Sequence, residues 1–424
     1  MVKHRRTKSN KEDENQDPEF SRNFDGSKNN SLVLFIFGIG FFVILLSLIS
    51  VIFPGLIISI VDVNLFGDDF EIGTMGIPLI IVNTIVFSLI GLGLKHKLPD
   101  KFTKIIQKIL AFDISRKNSF VFLFIILAIY IASSASELST YELNQYGDFL
   151  ILENAVKMWP EQETEDEYLA EQLDRHVRMV LLVTSEEIFN NVKVIPYLAS
   201  IFLLITTFFL TVKLSEKNFT GLIAVILILQ SSTFYIYDTI AVYENFWALF
   251  YVFSIYLIFK GSKFSSVFFI LAIFSKAIIL LWFPVSILLT LLSNIPNNKK
   301  IFVIITHVIV IISSLIIFQY SNAIYGDVVD IDVTEFWIGF TTLAANLRFD
   351  VLLLLFLLPV SVGLFLKARN GCKNSISLIV LICGTILVTP VLEMLTDHYF
   401  VYPYRYVPLV VFFAIGLSTL FSKK

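Results

Sequence analysis

Four charged side chains in this sequence stand where apolar neighbours make charge expensive. Glu244 follows Asp238 in a short turn, Asp238-Thr-Ile-Ala-Val-Tyr243-Glu244-Asn245, where two apolar runs meet almost without a loop. Lys276 interrupts the apolar run 270–282, and Arg405 stands in Tyr402-Pro403-Tyr404-Arg405-Tyr406-Val407-Pro408. Asp148 lies in Tyr146-Gly147-Asp148-Phe149, in a polar stretch that follows another apolar run. An ionisable group at membrane depth costs on the order of 3 kcal/mol or more, and usually faces a wet cavity or a partner. A carboxylate there can take a hydroxyl proton as general base. A cation can hold charge that builds on a phosphate leaving group. Asp238, Glu153, Tyr404 and Tyr243 are secondary candidates beside these four.

Each residue also has a plainer reading. Asp148 is then one more solvated acid, and one of Asp238 and Glu244 merely faces water. Lys276 snorkels to the headgroups, and Arg405 belongs to an interfacial aromatic belt. Motifs of soluble enzymes are absent: there is no phosphate-binding glycine loop, no dinucleotide fingerprint, no Cys/His zinc pattern and no HExxH. The residue types alone suit chemistry on an anionic, lipid-linked substrate.

The elements that must position these groups are membrane spans. The chain is 56% apolar and 16% charged, with 42 Phe and a mean hydropathy of +0.79, far from the soluble norm. The expected fold is all-α, a polytopic helical bundle of about twelve spans with a large extracytoplasmic loop. The spans fall near 31–51, 77–94, 120–135, 194–212, 219–237, 240–259, 301–319, 351–366, 376–391 and 407–421, with two shorter helices at 265–274 and 277–292. Residues 1–30 are polar and expected to be a disordered cytoplasmic tail. Residues 31–118 form an N-terminal hairpin with a basic loop, and 119–424 the main transmembrane domain. Basic connections at 95–117, 213–217, 260–263, 299–300 and 367–373 all reach one side when 265–292 is split into two helices. That side is then cytoplasmic, together with both termini. Cys372 and Cys383 sit in a basic loop and an apolar run, so no disulfide is expected.

The acidic segment 136–193 is the large outer loop. It carries thirteen acids, among them Glu137, Glu142, Asp148 and Glu153, against Lys157, Arg175, Arg178 and Lys193. Leu169, Leu173, Val177 and Val180 recur at helical spacing and predict one amphipathic helix over 167–183, lying on the membrane surface.

Four stretches give the chain a family likeness. They are Gly147-Asp148-Phe149-Leu150 early in a large outer loop, residues 195–245 ending on Glu244, Phe269 to Lys276 followed by Trp282-Phe283-Pro284, and Arg405-Tyr406-Val407-Pro408 opening the final span. In these it resembles the C-type glycosyltransferases that use polyprenyl-phosphate sugars, in the protein O-mannosyltransferase and aminoarabinose transferase branch. Phe149 stands where relatives often carry a second acid, and Glu244 where they commonly carry Asp. The resemblance implies transfer of a sugar, with inversion, from a polyprenyl- or dolichyl-phosphate carrier to an extracytoplasmic acceptor. It makes Asp148 the base. Glu244 orients substrate or, with Asp148, binds a divalent cation, and Lys276 and Arg405 contact the lipid phosphate. The expected partners are that donor, membrane lipid and an acceptor, with no nucleic acid. The competing readings are a polytopic transporter or lipid flippase, and a non-catalytic scaffold. A transporter predicts internal repeats with matched broken helices, and no such symmetry is visible.

Overall fold

The computed structural model describes residues 27–56, 70–95, 97–160, 164–319, 331–395 and 403–422. Among these residues every regular element is helical and there is no strand. Among the described residues seven helices are long and apolar enough to cross a membrane: Ser31–Ile52, Gly76–Gly93, Arg116–Ser139, Val194–Ser215, Asn297–Phe318, Val351–Arg369 and Lys373–Leu395. Shorter apolar helices Asn218–Leu229, Phe246–Lys260, Ser265–Ser275 and Ala277–Leu292 accompany them, with Val407–Thr419 at the C-terminal end. Length and hydropathy make this a membrane protein. Residues 1–26 of the expected tail, the acids Asp62, Asp68, Asp69, Glu161, Glu163, Asp327, Asp330 and Asp397, and the two terminal lysines lie outside the described residues.

Between helices in lipid, close packing rather than water-driven burial holds the bundle together. Gly339 shows how tight that packing is. A methyl group there would stand 2.5 Å from Pro390 Cα, so Val333–Leu347 meets Lys373–Leu395 backbone to backbone. At Gly40 a methyl would stand 2.5 Å from Cys383 Sγ, so the N-terminal helix Ser27–Ile52 is packed into the C-terminal half of the chain. Asn83 Nδ2 donates to the Leu355 carbonyl at 3.2 Å, tying the second helix of the hairpin to the same half. Cys372 and Cys383 are both free.

Several expected boundaries are corrected. The first helix begins at Ser27, inside the stretch read as tail. The run 219–237 is interrupted: Asn218–Leu229 ends, and Ser231 caps Ser232–Tyr237 by accepting from the Phe234 amide. The run 240–259 is helical only from Phe246, because its first residues hydrogen-bond to loop side chains instead. The predicted single helix 167–183 is two, Glu167–Asp174 and His176–Phe189, broken at Arg175 with φ −80° and ψ 63°. Its apolar stripe does not face a membrane surface alone. Leu169 and Leu173 are buried with Ala155 and Met179 in a cluster within the loop. A further helix, Val333–Leu347 with Arg348 as its C-cap, occupies a stretch assigned to no span above. The last of the short helices starts as a 3-10 turn, Ala277–Trp282, and turns α-helical at Phe283, where Pro284 fits the first turn.

The basic connections converge on one end of the bundle. Lys217 Nζ donates to the carbonyls of Leu110, Phe112 and Phe421. Lys367 Nζ donates to the carbonyls of Thr419 and Ser422, both at 2.8 Å, and Asn374 Nδ2 to the Leu214 carbonyl at 2.9 Å. A methyl at Gly261 would lie 3.0 Å from Lys299 Cδ. The chain therefore reverses between Gly261 and Lys299, with Lys276 at the tip of that hairpin. The candidate chemical groups gather around Lys276.

Candidate functional site

The site grows from an unwound segment, residues 238–245. Its backbone is satisfied from the acidic loop, as irregular backbone at a membrane must be. Glu142 accepts from the amides of Ala241 at 2.7 Å and Val242 at 3.2 Å. Arg178 donates to the carbonyls of Val242 at 2.9 Å and Ala241 at 3.4 Å. It also donates to Gln172 and, through Nε, to Glu244 Oε2 at 2.8 Å. Charge-assisted bonds of this kind contribute roughly 1.5–3 kcal/mol each, which keeps the segment from winding into the following helix.

That unwound segment aims Tyr243. Its hydroxyl donates to Asp148 Oδ2 at 3.0 Å. Its ring stacks on Tyr404, with centroids 4.5 Å apart and planes 19° from parallel. Tyr404 sits in a 3-10 turn, Pro403–Tyr406. Its hydroxyl accepts from Lys276 Nζ at 2.6 Å and from Arg405 Nε at 3.3 Å. The Lys276 ammonium also lies 4.1 Å from the centre of the Tyr404 ring, a cation–π contact. Asp148 and the two cations thus bond to different members of a stacked tyrosine pair, Asp148 to Tyr243 and the cations to Tyr404. Asp148 is exposed, whereas the two tyrosines are buried.

Burial alone would push the Tyr404 phenol up, but Lys276 and Arg405 beside it bring it down to about 7. Burial draws the Arg175 guanidinium down to about 10, with Arg178 adding to the effect and Tyr404 and Glu244 opposing it. Arg175 also pairs with Glu171, and Lys276 lies in the field of both Arg405 and Arg175. Four cations from three distant segments therefore share one electrostatic environment. Nearby, burial raises Glu142, against the pull of the Ala241 amide and Lys193. Burial lowers Lys193, against Glu142.

Of the sequence-predicted residues, the structure brings together Asp148, Tyr243, Tyr404, Lys276 and Arg405. Glu244 adjoins them through the backbone, but its carboxylate is buried and held by Arg178. Through that pair it ties the unwound segment to the helix His176–Phe189. Glu153 lies apart on the helix Phe149–Met158, paired with Lys157 at 2.7 Å. Asp238 also lies apart, accepting from Ser134 Oγ at 3.2 Å. Arg175, Arg178 and Glu142 were missed as site residues. The available signal was that Arg175 and Arg178 are two of few bases in an acidic segment.

Asp238 gives a direct test of its separate role. Burial raises its carboxyl from 3.8 to about 7, with Glu137 adding to the effect. A raised folded-state value means that the stability it contributes is present at low pH and is lost as pH rises through about 7. Asp238→Asn should therefore raise the melting temperature at pH 8 by a few degrees, at about 2–4 °C per kcal/mol, and by less at pH 5. Thermal unfolding in detergent at the two pH values checks this, and equal shifts at both would refute it.

Among the described residues no group of three or more His, Cys, Asp or Glu is placed to hold a metal ion. The donor chemistry at Asp148 and Glu244 does not fit a divalent cation. One carboxylate is already held by a guanidinium, the other accepts from a phenol, and the surrounding cations oppose further positive charge. A cleft of about 400 Å³ is lined by Tyr141, Glu142, Phe149, Glu153, Asn191 and Lys193 among others. Asp148, Glu244, Lys276 and Arg405 do not line it. No protein-family model, curated protein or solved structure matches this chain.

Proposed function

We propose that this membrane protein is a glycosyltransferase that moves a sugar from a polyprenyl-phosphate carrier to an extracytoplasmic acceptor. The observation that carries the reading is the stacked Tyr243–Tyr404 pair, which joins Asp148, bonded to the Tyr243 hydroxyl, to Lys276 and Arg405, bonded to the Tyr404 hydroxyl. Inverting transfer needs a base and a phosphate-binding cation as separate groups, because the acceptor attacks the anomeric carbon from the face opposite the leaving phosphate. Asp148 takes the acceptor's hydroxyl proton as the new C–O bond forms. The anomeric C–O bond to phosphate breaks, and its electron pair leaves on the phosphate, where Lys276 and Arg405 hold the charge. In this reading the chain has about twelve spans, and the basic end of the bundle faces the cytoplasm with both termini.

The carrier's phosphodiester keeps one charge over the physiological range, so its binding should report the state of Tyr404. Above about 7 the Tyr404 phenolate neutralises the cations that the phosphate needs. Affinity for a polyprenyl-phosphate sugar should thus fall about tenfold between pH 6 and pH 8, the linkage expected of a competing anion. Tyr404→Phe should flatten that dependence, and Lys276→Met should abolish binding at both pH values. Equilibrium binding of a labelled carrier to protein in nanodiscs measures all three. Unchanged binding by Lys276→Met would remove the phosphate site from this cluster.

A further inference from the structure

The amphipathic helix Asp100–Ala111 is not used by the proposed chemistry. At 12 residues it is about 18 Å long, too short to span a bilayer. None of its residues is buried. Phe102, Ile105, Ile106 and Ile109 are exposed, at 60%, 56%, 43% and 40%, and Phe112 just beyond is 49% exposed. On a helical wheel these apolar side chains form one stripe, with Lys101, Lys104 and Lys108 grouped along its border. An apolar stripe left uncovered on a free arm would be unremarkable, but this helix is fastened. Its C-terminal carbonyls at Leu110 and Phe112 accept from Lys217. The Phe112 ring meets Phe219 edge-on, with centroids 4.9 Å apart. Asp113 Oδ1 accepts from the Phe219 amide at 3.0 Å, and the Ile114 carbonyl accepts from Asn218 at 3.0 Å.

We propose that this helix lies in the headgroup region of the bilayer leaflet at the basic end of the bundle, and binds anionic phospholipid there. Three observations select that occupant. The helix is bounded by Gly76–Gly93 and Arg116–Ser139, two of the long apolar helices, so a leaflet is within reach of it. Its anchors lie at its C-terminal end and leave the apolar stripe turned away from the bundle. Its lysines border the stripe, where long side chains reach phosphate headgroups while the apolar residues enter the acyl boundary. A connection of this form holds the ends of its two flanking helices at a fixed depth.

The test uses the full chain with Cys372 and Cys383 replaced by Ser, reconstituted in vesicles of phosphatidylcholine with or without phosphatidylglycerol. A nitroxide is placed at Ile105→Cys on the stripe, or at Gln107→Cys on the opposite face, and collisions with oxygen and with a water-soluble nickel reagent are measured. In anionic vesicles position 105 should be oxygen-accessible and position 107 nickel-accessible. Position 105 should sit deeper there than in pure phosphatidylcholine. Lys101→Gln, Lys104→Gln and Lys108→Gln combined should erase that difference in depth. Equal nickel access at both positions would overturn the proposal. So would equal depth in both lipids, or spin–spin broadening at position 105, which would assign the stripe to a second copy of the chain. These positions are exposed, so the labelled chains should elute as the parent does in gel filtration.

Discussion

Arg178→Met should destabilise the protein by about 3–5 kcal/mol, the range seen when one partner of a buried ion pair is removed. The side chains of Arg178 and Glu244 are only 3% and 4% exposed. Without the guanidinium, Glu244 becomes a buried unpaired carboxylate, and the Val242 carbonyl and the Gln172 amide oxygen lose a donor. Arg178→Lys should rescue little, because an ammonium cannot reproduce the planar fork that serves Glu244 and the backbone together. The double variant Arg178→Met, Glu244→Met should recover much of the loss, since it removes the stranded charge along with its partner. Melting temperatures from heated detergent samples, read by gel filtration, provide the measurement. A double variant no more stable than Arg178→Met would show that the deficit comes from the lost backbone contacts instead. Arg178→Met should also reduce any activity, because the unwound segment it holds is what aims Tyr243.

The bundle was readable in the sequence because its signal is local. Runs of apolar residues such as those in Val194–Ser215 and Asn297–Phe318 announce themselves by length and hydropathy. The reversal at Lys276 was readable too, from the requirement that basic connections share one side. Val333–Leu347 escaped because acids precede it and its buried positions, Phe340, Leu343 and Leu347, are spaced among polar residues. The partners of the unwound segment escaped for a different reason. Glu142 reaches the Ala241 amide across 99 residues of sequence, and Arg178 reaches Glu244 across 66. No local periodicity encodes a pairing of that length. For the same reason Glu244 looked like a chemical group: its cost at membrane depth was visible, but the guanidinium that offsets it was not. Lys276 and Arg405 were singled out by cost alone, and they share the Tyr404 hydroxyl. The break at Arg175 was hidden because Leu169, Leu173 and Val177 continue one helical pattern straight through it.

Asp148→Asn should lower turnover by roughly 100-fold or more, the usual worth of a general base, while carrier binding stays within about twofold. The substitution keeps the side chain's shape and can still accept from the Tyr243 hydroxyl, as Asp148 does at 3.0 Å. It removes the basicity needed to take the acceptor's proton. A hundredfold loss corresponds to about 2.7 kcal/mol of transition-state stabilisation, which one positioned proton acceptor can supply. Binding is spared because the proposed phosphate contacts, Lys276 and Arg405, bond to Tyr404 and not to Asp148. Tyr243→Phe is the companion experiment. It leaves the ring stack with Tyr404 but removes the hydroxyl that orients Asp148. That variant should lose far less turnover than Asp148→Asn and should move the pH–rate profile, since one bond to the carboxylate is gone. The assay is single-turnover transfer from a labelled polyprenyl-phosphate sugar by protein in nanodiscs, with carrier affinity measured in parallel. If Asp148→Asn loses affinity and turnover together, the carboxylate organises the carrier site and another group accepts the proton. If it keeps full turnover, Asp148 is a solvated acid bonded to a tyrosine, and the catalytic reading of this cluster fails.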